Sequence, residues 1–156
     1  MFKRIENNID FAENEDKISN YWNDIDAFQK SLDIRKESKI FRFYDGPPFP
    51  TGSPHYGNLL AGVIKDIVPR YWTMRGYFVE RRFGWDVHGL PIEMEVQKEL
   101  GLEDPQDIDD YGIDKFNEAC RSQVQTNTEN WEKITRKIGR WVDFENDYKT
   151  MDVGFM

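Results

Sequence analysis

Residues 44–58 read Tyr-Asp-Gly-Pro-Pro-Phe-Pro-Thr-Gly-Ser-Pro-His-Tyr-Gly-Asn, and this stretch decides the expected fold. It contains four of the chain's seven prolines and three of its eleven glycines. Proline removes a backbone donor and fixes φ, whereas glycine admits backbone conformations that other residues avoid. The stretch is therefore predicted to be a stiff, irregular loop.

Regular structure is predicted on both sides of this loop. Residues 40–44 are strand-like, and after the loop apolar residues recur at every fourth position, which predicts a helix. That helix is expected to end near Gly76, and Pro69 inside it should kink it or remove one hydrogen bond. The recurring residues are Leu59, Val63, Ile67 and Tyr71. A strand, a Gly/Pro loop and a helix N-terminus form the layout of a nucleotide site in an open α/β sheet.

The rest of the chain predicts further helices and strands around this unit. Strand, helix, strand and helix in succession predict a βαβ unit with a right-handed crossover, about half of a doubly wound domain. The further predictions are a helix over 14–32, a strand over 77–83, a short helix over 92–100 with Pro91 at its first position, an acidic turn region over 103–112, a long helix over 114–141 and a possible strand over 148–151.

Composition excludes several classes of protein. The 156 residues suit one domain, and 15% aromatic residues argue against disorder. The net charge is −8, residues 101–156 carry thirteen acids against seven bases, and no basic footprint for nucleic acid is present. A single cysteine, Cys120, excludes an intrachain disulfide and suits a reducing compartment. No secretory segment or long apolar run is found, which predicts a soluble, cytoplasmic chain without a membrane partner.

Both histidines of the chain, His55 and His88, follow predicted strands at Gly/Pro turns. Ligands bind outside the carboxyl ends of such strands, so the two imidazoles are expected to face one crevice. His55 is expected about one turn before the helix and Asn58 at or near its N-cap. Capping alone explains Asn58. Alternatively, both side chains donate hydrogen bonds to phosphate oxygens beside the free helix amides.

The loop is not a Walker sequence, because no Gly-Lys-Ser/Thr follows it, so a P-loop enzyme is excluded. Asp86 follows the second predicted strand, where its carboxylate could pair with a substrate ammonium group or simply cap a turn. Arg81 and Arg82 are interpreted as solvated charges. Structural roles are predicted for the remaining residues. Cys120 is expected in the core, and the aromatic residues are expected in the core or in interdomain contacts; these are Tyr71, Trp72, Trp131 and Trp141. Asp109 and Asp110 are expected to be solvated, without partners for a metal site.

The segment Pro54–Asn58 resembles the His-x-Gly-His signature of class I aminoacyl-tRNA synthetases. The segments 45–52 and 81–93 resemble those of the isoleucyl members, and the run from His88 to Pro91 differs from the leucyl and valyl members. Shorter matches occur at 111–113 and 139–143. The resemblance covers the chain from about residue 12.

This resemblance implies a fold and a reaction. The fold would be α/β, the first half of a Rossmann-type (HUP-like) parallel-sheet nucleotide-binding domain, incomplete and spanning 40–156, after an N-terminal helical extension over 1–39. The intact enzyme would be an isoleucine–tRNA ligase, which activates L-isoleucine with ATP to isoleucyl-adenylate and pyrophosphate and then charges tRNA(Ile). The fragment alone would be inactive or a weak ATP binder.

The resemblance also implies site residues. His55, Gly57 and Asn58 would contact the ATP phosphates, Gly46 and Pro47 would line the isoleucine and adenylate pocket, and Asp86 would hold the α-ammonium group. Asn58 departs from the family pattern, where many members have a second histidine, and a carboxamide keeps a donor but carries no charge. Mg²⁺ would accompany ATP, and zinc would be bound only in regions absent here, as would most tRNA contacts.

Two other functions remain open on the sequence. A stand-alone nucleotidyltransferase would use the same His-x-Gly loop and transfer an adenylyl group without an amino acid. A non-catalytic module would have kept the fold to bind a partner protein, and His55→Ala would then not alter any nucleotide binding. The chain has no Lys-Met-Ser-Lys-Ser loop, editing insertion or anticodon-binding region, so we expect the reading frame to continue past Met156.

Overall fold

A computed structural model describes residues 9–50 and 52–155. None of the helices in those ranges has the length and apolar character needed to cross a membrane. The elements are α1 (Phe11–Asp24), α2 (Ala27–Asp33), α3 (Tyr56–Met74), β1 (Arg82–Trp85), α4 (Leu90–Leu100), α5 (Pro105–Tyr111), α6 (Ile113–Lys137) and β2 (Asp143–Lys149).

The sheet of the described residues is parallel. β1 pairs with β2, with Trp85 opposite Lys149, and the three helices α4, α5 and α6 connect the two strands. A second parallel pairing joins Ile40 to Phe78 as an isolated bridge. The prediction of an α/β fold with parallel pairing is therefore confirmed.

The extents of the predicted strands were partly wrong. Over 40–44 only the bridge at Ile40 forms, with the Phe41 N–H donating to Phe78 O over 2.9 Å. The second strand begins at Arg82, later than the predicted 77–83. The last strand begins at Asp143, earlier than the predicted 148–151.

Two predictions about helices were also wrong. The helix predicted over 14–32 is two helices, because Asp26 adopts a left-handed conformation with φ of 48° between them. The predicted acidic turn over 103–112 contains α5, which begins with Pro105 after Asp104. The side chain of Asp107 accepts the Asp104 N–H over 2.9 Å. Acidic side chains there interact favourably with the helix dipole, so a run that reads as a turn forms a helix.

The positions of α3, α4 and α6 largely match the sequence. α3 continues through Pro69 to Met74, and α4 ends before Gly101, which has a φ of 68°. The long helix ends at Lys137 rather than at the predicted position 141, ahead of Gly139, whose φ is 73°. Glycine at such positions permits the left-handed turn that ends a helix.

Arg81 is not the solvated charge that the sequence suggested. It is only 3% exposed and donates hydrogen bonds to Pro69 O and Thr73 Oγ1 on α3. Its guanidinium also lies over the Phe28 ring, 5.5 Å from the centroid. Burial lowers the pKa of Arg81 to about 10. Residues from α2 and α3 cover this side chain, and their approach is a tertiary event with no local signature.

The hydrophobic core lies between the sheet and the helices α4 and α6. Cys120 packs against this core, half-buried, as predicted, and burial raises the pKa of its thiol. Asp109 and Asp110 are exposed, as predicted. The core residues are Phe83, Trp85, Val87, Ile92, Val96, Phe116, Val124, Trp131, Val142 and Phe144.

Aromatic contacts join the N-terminal helices to the rest of the chain. The Trp22 and Trp141 rings meet edge to face with their centroids 5.3 Å apart, and the Arg70 guanidinium lies 4.1 Å from the centroid of Trp141. Trp72 stacks on Phe41 at 4.7 Å. Trp141 and Trp72 thus serve in contacts between elements, as predicted for the aromatic residues.

We expect Gly84→Ala to lower the free energy of unfolding by about 1–3 kcal/mol, as overpacking does elsewhere. A Cβ atom on Gly84 would overlap the Tyr148 ring, which crosses β1 at this point. Urea denaturation would measure the loss. Gly154→Ala is the matched control, because an added Cβ there meets nothing within 4 Å. Equal stability of the two variants would contradict the prediction.

Candidate functional site

The Gly/Pro loop is attached to the sheet and to α6 by hydrogen bonds from both. The Asp86 N–H, directly after β1, donates to Pro48 O over 2.9 Å. On the other side Trp131 Nε1 donates to Gly52 O over 2.8 Å. A loop with these anchors holds its backbone in one arrangement, which favours recognition of a ligand by main-chain atoms.

A buried carboxylate, which the sequence did not single out, lies at the start of this loop. The side chain of Asp45 is 2% exposed and forms ion pairs with Lys65 and Arg140. Lys65 Nζ lies 2.7 Å from Asp45 Oδ1 and also donates to Gly46 O over 2.6 Å. The Tyr148 hydroxyl donates to Asp45 O over 3.2 Å. The sequence signal that could have identified Asp45 was its position at the end of a strand-like run.

These ion pairs leave an excess of positive charge beside the loop. Two cations, Lys65 and Arg140, share the single carboxylate of Asp45. Lys65 is 29% exposed, whereas Arg140 is only 7% exposed. The cluster can therefore attract an anionic ligand through Lys65 while the buried pair holds the loop.

His55 is the N-cap of α3, and Asn58 is its third residue. The Gly57 N–H donates to His55 Nδ1 over 3.1 Å, and the His55 N–H donates to Asn58 Oδ1 over 3.0 Å. This reciprocal arrangement is a capping box in which histidine replaces the usual Ser or Thr. The prediction that Asn58 lies at or near the cap is confirmed, whereas the prediction that His55 lies a turn before the helix was wrong, because the imidazole itself supplies a capping acceptor.

The capping hydrogen bonds decide what each side chain can offer a ligand. A backbone N–H only donates, so His55 Nδ1 is unprotonated and a neutral ring carries its proton on Nε2. The oxygen of Asn58 is occupied, which leaves its Nδ2 amide as a donor. A Cβ atom on Gly57 would lie only 3.0 Å from His55 Cε1, so glycine at this position leaves room for the imidazole ring of His55 against the backbone. His55 and Gly57 are exposed, and Asn58 is half-buried.

A second group of polar side chains follows β1. Thr150 Oγ1 lies 2.6 Å from His88 Nδ1 and 3.4 Å from Asp86 Oδ1, and the Val87 N–H donates to it over 2.9 Å. Asp86 is half-buried and His88 is exposed. No ion pair to Asp86 occurs within the described ranges, so its carboxylate is available to a cation. Thr150 was not among the predicted site residues.

The structure connects the predicted site residues through the loop. The main chain of Asp86 contacts Pro48, and Pro47 between Gly46 and Pro48 is half-buried. The cavity beside the loop has a volume of about 170 Å³. His55 and His88 have different hydrogen-bond partners, and their convergence on one crevice stays a prediction. The cavity is lined by Gly46, Pro48, Asn58, Lys65, Trp131 and Arg140, among others.

No arrangement of three or more His, Cys, Asp or Glu side chains suited to a metal ion occurs among the residues described. The donors at the loop are instead an imidazole N–H, a carboxamide and backbone amides of a helix N-terminus. Groups of this kind can bind anions such as phosphate, and a carboxylate without an ion-pair partner can bind a cation. The arrangement thus suits a ligand that carries both a phosphate and an ammonium group.

Comparison with protein families gives a match over most of the chain. The family described as tRNA synthetases class I (I, L, M and V) matches residues 17–156. The match includes the Gly/Pro loop, the capping residues of α3 and the segment after β1.

Individual relatives match all or nearly all of the chain. The isoleucine–tRNA ligase of Treponema denticola is 53% identical over all 156 residues, which span 14% of that protein. The cytoplasmic isoleucine–tRNA ligase of Saccharomyces cerevisiae is 53% identical over 94% of this chain and 14% of its own. A Chlamydia caviae isoleucine–tRNA ligase is 54% identical over 93% of this chain and 14% of its own. The chain therefore spans about one seventh of these relatives.

A solved structure shares the fold. It is the agnB2 LeuRS of Agrobacterium radiobacter K84, in a ternary complex with tRNA and LeuAMS. The TM-score is 0.65 with 19% sequence identity, over 90% of this chain and 16% of that one.

Proposed function

This chain belongs to the class I tRNA synthetases (I, L, M and V), and from that membership we propose that it forms the first half of the catalytic domain of an isoleucine–tRNA ligase. The observation that carries the proposal is the 53% identity with such a ligase over every residue of the chain. The proposed domain covers 40–156 and follows a helical extension over 1–39. Alone, the chain is inactive or binds ATP weakly, because it spans 14% of that relative.

The proposed reaction has two steps. A carboxylate oxygen of L-isoleucine attacks the α-phosphorus of ATP and forms a new P–O bond, while the bond to the bridging oxygen breaks and pyrophosphate leaves. In the second step a ribose hydroxyl of the terminal adenosine of tRNA(Ile) attacks the carbonyl carbon of the adenylate. A new ester bond forms, the mixed-anhydride bond breaks and AMP leaves. Mg²⁺ enters with the phosphates of ATP, and most contacts with tRNA(Ile) would come from polypeptide outside this chain.

The N-terminus of α3 would bind the phosphates. His55 Nε2–H and Asn58 Nδ2 would donate hydrogen bonds to phosphate oxygens as negative charge builds up during displacement. Gly57 would let the phosphates approach the backbone closely, and the free amides and dipole of the helix would add to the attraction. Lys65, two turns further along the same helix, supplies a partly exposed positive charge. Together these groups would form the ATP-binding part of the half-site.

The loop and the end of β1 would bind the amino acid. The carboxylate of Asp86 would pair with the α-ammonium group, at a position where no side chain in the described ranges neutralises it. Gly46 and Pro47 would line the pocket for the side chain and the adenylate. Because the Asp86 N–H holds Pro48 O, the ammonium site and the pocket would move as one unit.

A chimera tests the function directly. This chain would replace the matching 156 residues of the Treponema denticola ligase, and isoleucine-dependent exchange of pyrophosphate into ATP would be measured. We expect exchange within about tenfold of the parent, a change in barrier of about 1.4 kcal/mol. His55→Ala in the chimera should reduce it further. A folded chimera without isoleucine-dependent exchange, or one equally active with leucine, would refute the proposal.

We propose a cytoplasmic location on the same basis. The yeast relative carries that compartment in its name. The single cysteine, Cys120, is compatible with a reducing environment. Cell fractionation with an antibody against the chain would test the location.

A further inference from the structure

Thr150 lies where the two paired strands end. It follows β2 directly, is 6% exposed, and its N–H donates to Trp85 O over 3.0 Å at the end of β1. Asp86 is the next residue after Trp85. Thr150 and Asp86 are therefore neighbours at the carboxyl edge of a parallel sheet, where ligands of such folds bind.

The hydroxyl of Thr150 has three polar neighbours and one proton. The Val87 N–H, 2.9 Å away, can only donate, so it occupies a lone pair of the oxygen. The remaining neighbours are His88 Nδ1 and Asp86 Oδ1, and both can accept the hydroxyl proton. Which of them receives it determines the tautomer of His88.

The distances favour His88. Hydroxyl donors lie about 2.5–3.0 Å from their acceptors. Thr150 Oγ1 is 3.4 Å from Asp86 Oδ1, outside that range, which leaves His88 Nδ1, 2.6 Å away, as the acceptor of the hydroxyl proton. We propose that Thr150 is a positioning residue for the amino-acid site, which holds His88 in the Nε2–H tautomer and leaves the Asp86 carboxylate free for an ammonium group.

Both histidines of the chain are then held in the same way. Gly57 N–H occupies Nδ1 of His55, and the Thr150 hydroxyl occupies Nδ1 of His88. Each ring is left with an Nε2–H donor, and both residues are exposed. Two neutral donors can serve a phosphate or carboxylate without placing an imidazolium charge beside the ammonium group of the ligand.

The proposal makes the hydroxyl necessary and the methyl group dispensable. Thr150→Ser keeps the hydroxyl, and Thr150→Val removes it with little change of shape. Thr73→Val is the matched control, because Thr73 is equally buried and also donates a hydrogen bond, to Pro69 O. These variants separate loss of this hydroxyl from loss of a buried threonine in general.

The tautomers are read from ¹⁵N NMR of the two imidazole rings in the 156-residue chain. The unmodified chain and its Thr150→Ser and Thr73→Val variants should show His88 as Nε2–H, and Thr150→Val should show a tautomer mixture while His55 stays unchanged. An Nδ1–H tautomer in the unmodified chain, or an unchanged His88 in Thr150→Val, would overturn the proposal. If Thr150→Val does not fold, the tautomer of the unmodified chain decides.

The effect on the ligand rests on the proposed function and is measured separately, by titrating the chimera with L-isoleucine and with ATP. Thr150→Val should weaken isoleucine binding about fivefold, as expected for one hydrogen bond, and leave ATP binding unchanged. Thr150→Ser should restore it. If Thr150→Val weakened the binding of isoleucine and of ATP equally, the positioning role would be overturned. If isoleucine does not bind even without substitution, the proposed function fails, and the His88 tautomer still decides the role of Thr150.

Discussion

Asp45→Ala is expected to lower the free energy of unfolding by about 3–5 kcal/mol, the usual cost of removing one partner of a buried ion pair. The variant leaves the Arg140 guanidinium, which is 7% exposed, without its carboxylate. It also frees Lys65, which holds Gly46 O. Urea denaturation followed by tryptophan fluorescence would measure the change.

Lys65→Met is the control for this prediction, because the Lys65 side chain is 29% exposed against 7% for Arg140, so water screens its ion pair more and its loss should cost less. A double-mutant cycle with Arg140→Met would isolate the coupling between Asp45 and Arg140. A loss below about 1 kcal/mol for Asp45→Ala would place this pair with surface ion pairs and contradict the prediction.

Asp86→Ala in the chimera should raise the KM for isoleucine about 10- to 150-fold, as expected from about 1.5–3 kcal/mol for a hydrogen bond to a charged group. The physical reason is the loss of the only proposed counter-charge for the ammonium group. The loop should stay in place, because Asp86 holds Pro48 through its backbone N–H rather than its side chain. The KM for ATP should therefore change little. Pyrophosphate exchange at varied isoleucine and ATP concentrations measures both constants.

Asp109→Ala supplies the matched control, since Asp109 is exposed on α5 and should leave both constants unchanged. The KM for isoleucine of Asp86→Asn should lie between those of Asp109→Ala and Asp86→Ala, because a carboxamide oxygen still accepts a hydrogen bond but carries no charge. Equal increases in both KM values for Asp86→Ala would mean that the side chain supports the fold instead of the ligand.

Local chemistry explains which elements the sequence predicted well. The apolar repeat at every fourth position located α3, and Gly101 located the end of α4, because both depend on neighbours a few residues away. The same locality explains the failure over 103–112. Asp104 and Asp107 favour a turn and a helix start equally, and only the formation of α5 distinguishes them.

The sequence by itself determined the irregular loop over 44–58, the parallel α/β class and the identities of most candidate site residues. Backbone restrictions of glycine and proline, and helical periodicity, operate over a few residues and are legible without a structure. The family-specific segments in the loop and across β1 sharpened this generic layout towards the proposed isoleucine-activating site.

Only the tertiary structure decided how those residues work. Asp45 meets Arg140 across 95 positions of sequence, and Thr150 meets His88 across 62. The structure also shows that His55 caps α3, with its Nδ1 accepting a hydrogen bond from the Gly57 N–H. Contacts between distant segments depend on burial and on the parallel pairing of strands, and a buried carboxylate or a shared hydroxyl proton has no pattern along the chain.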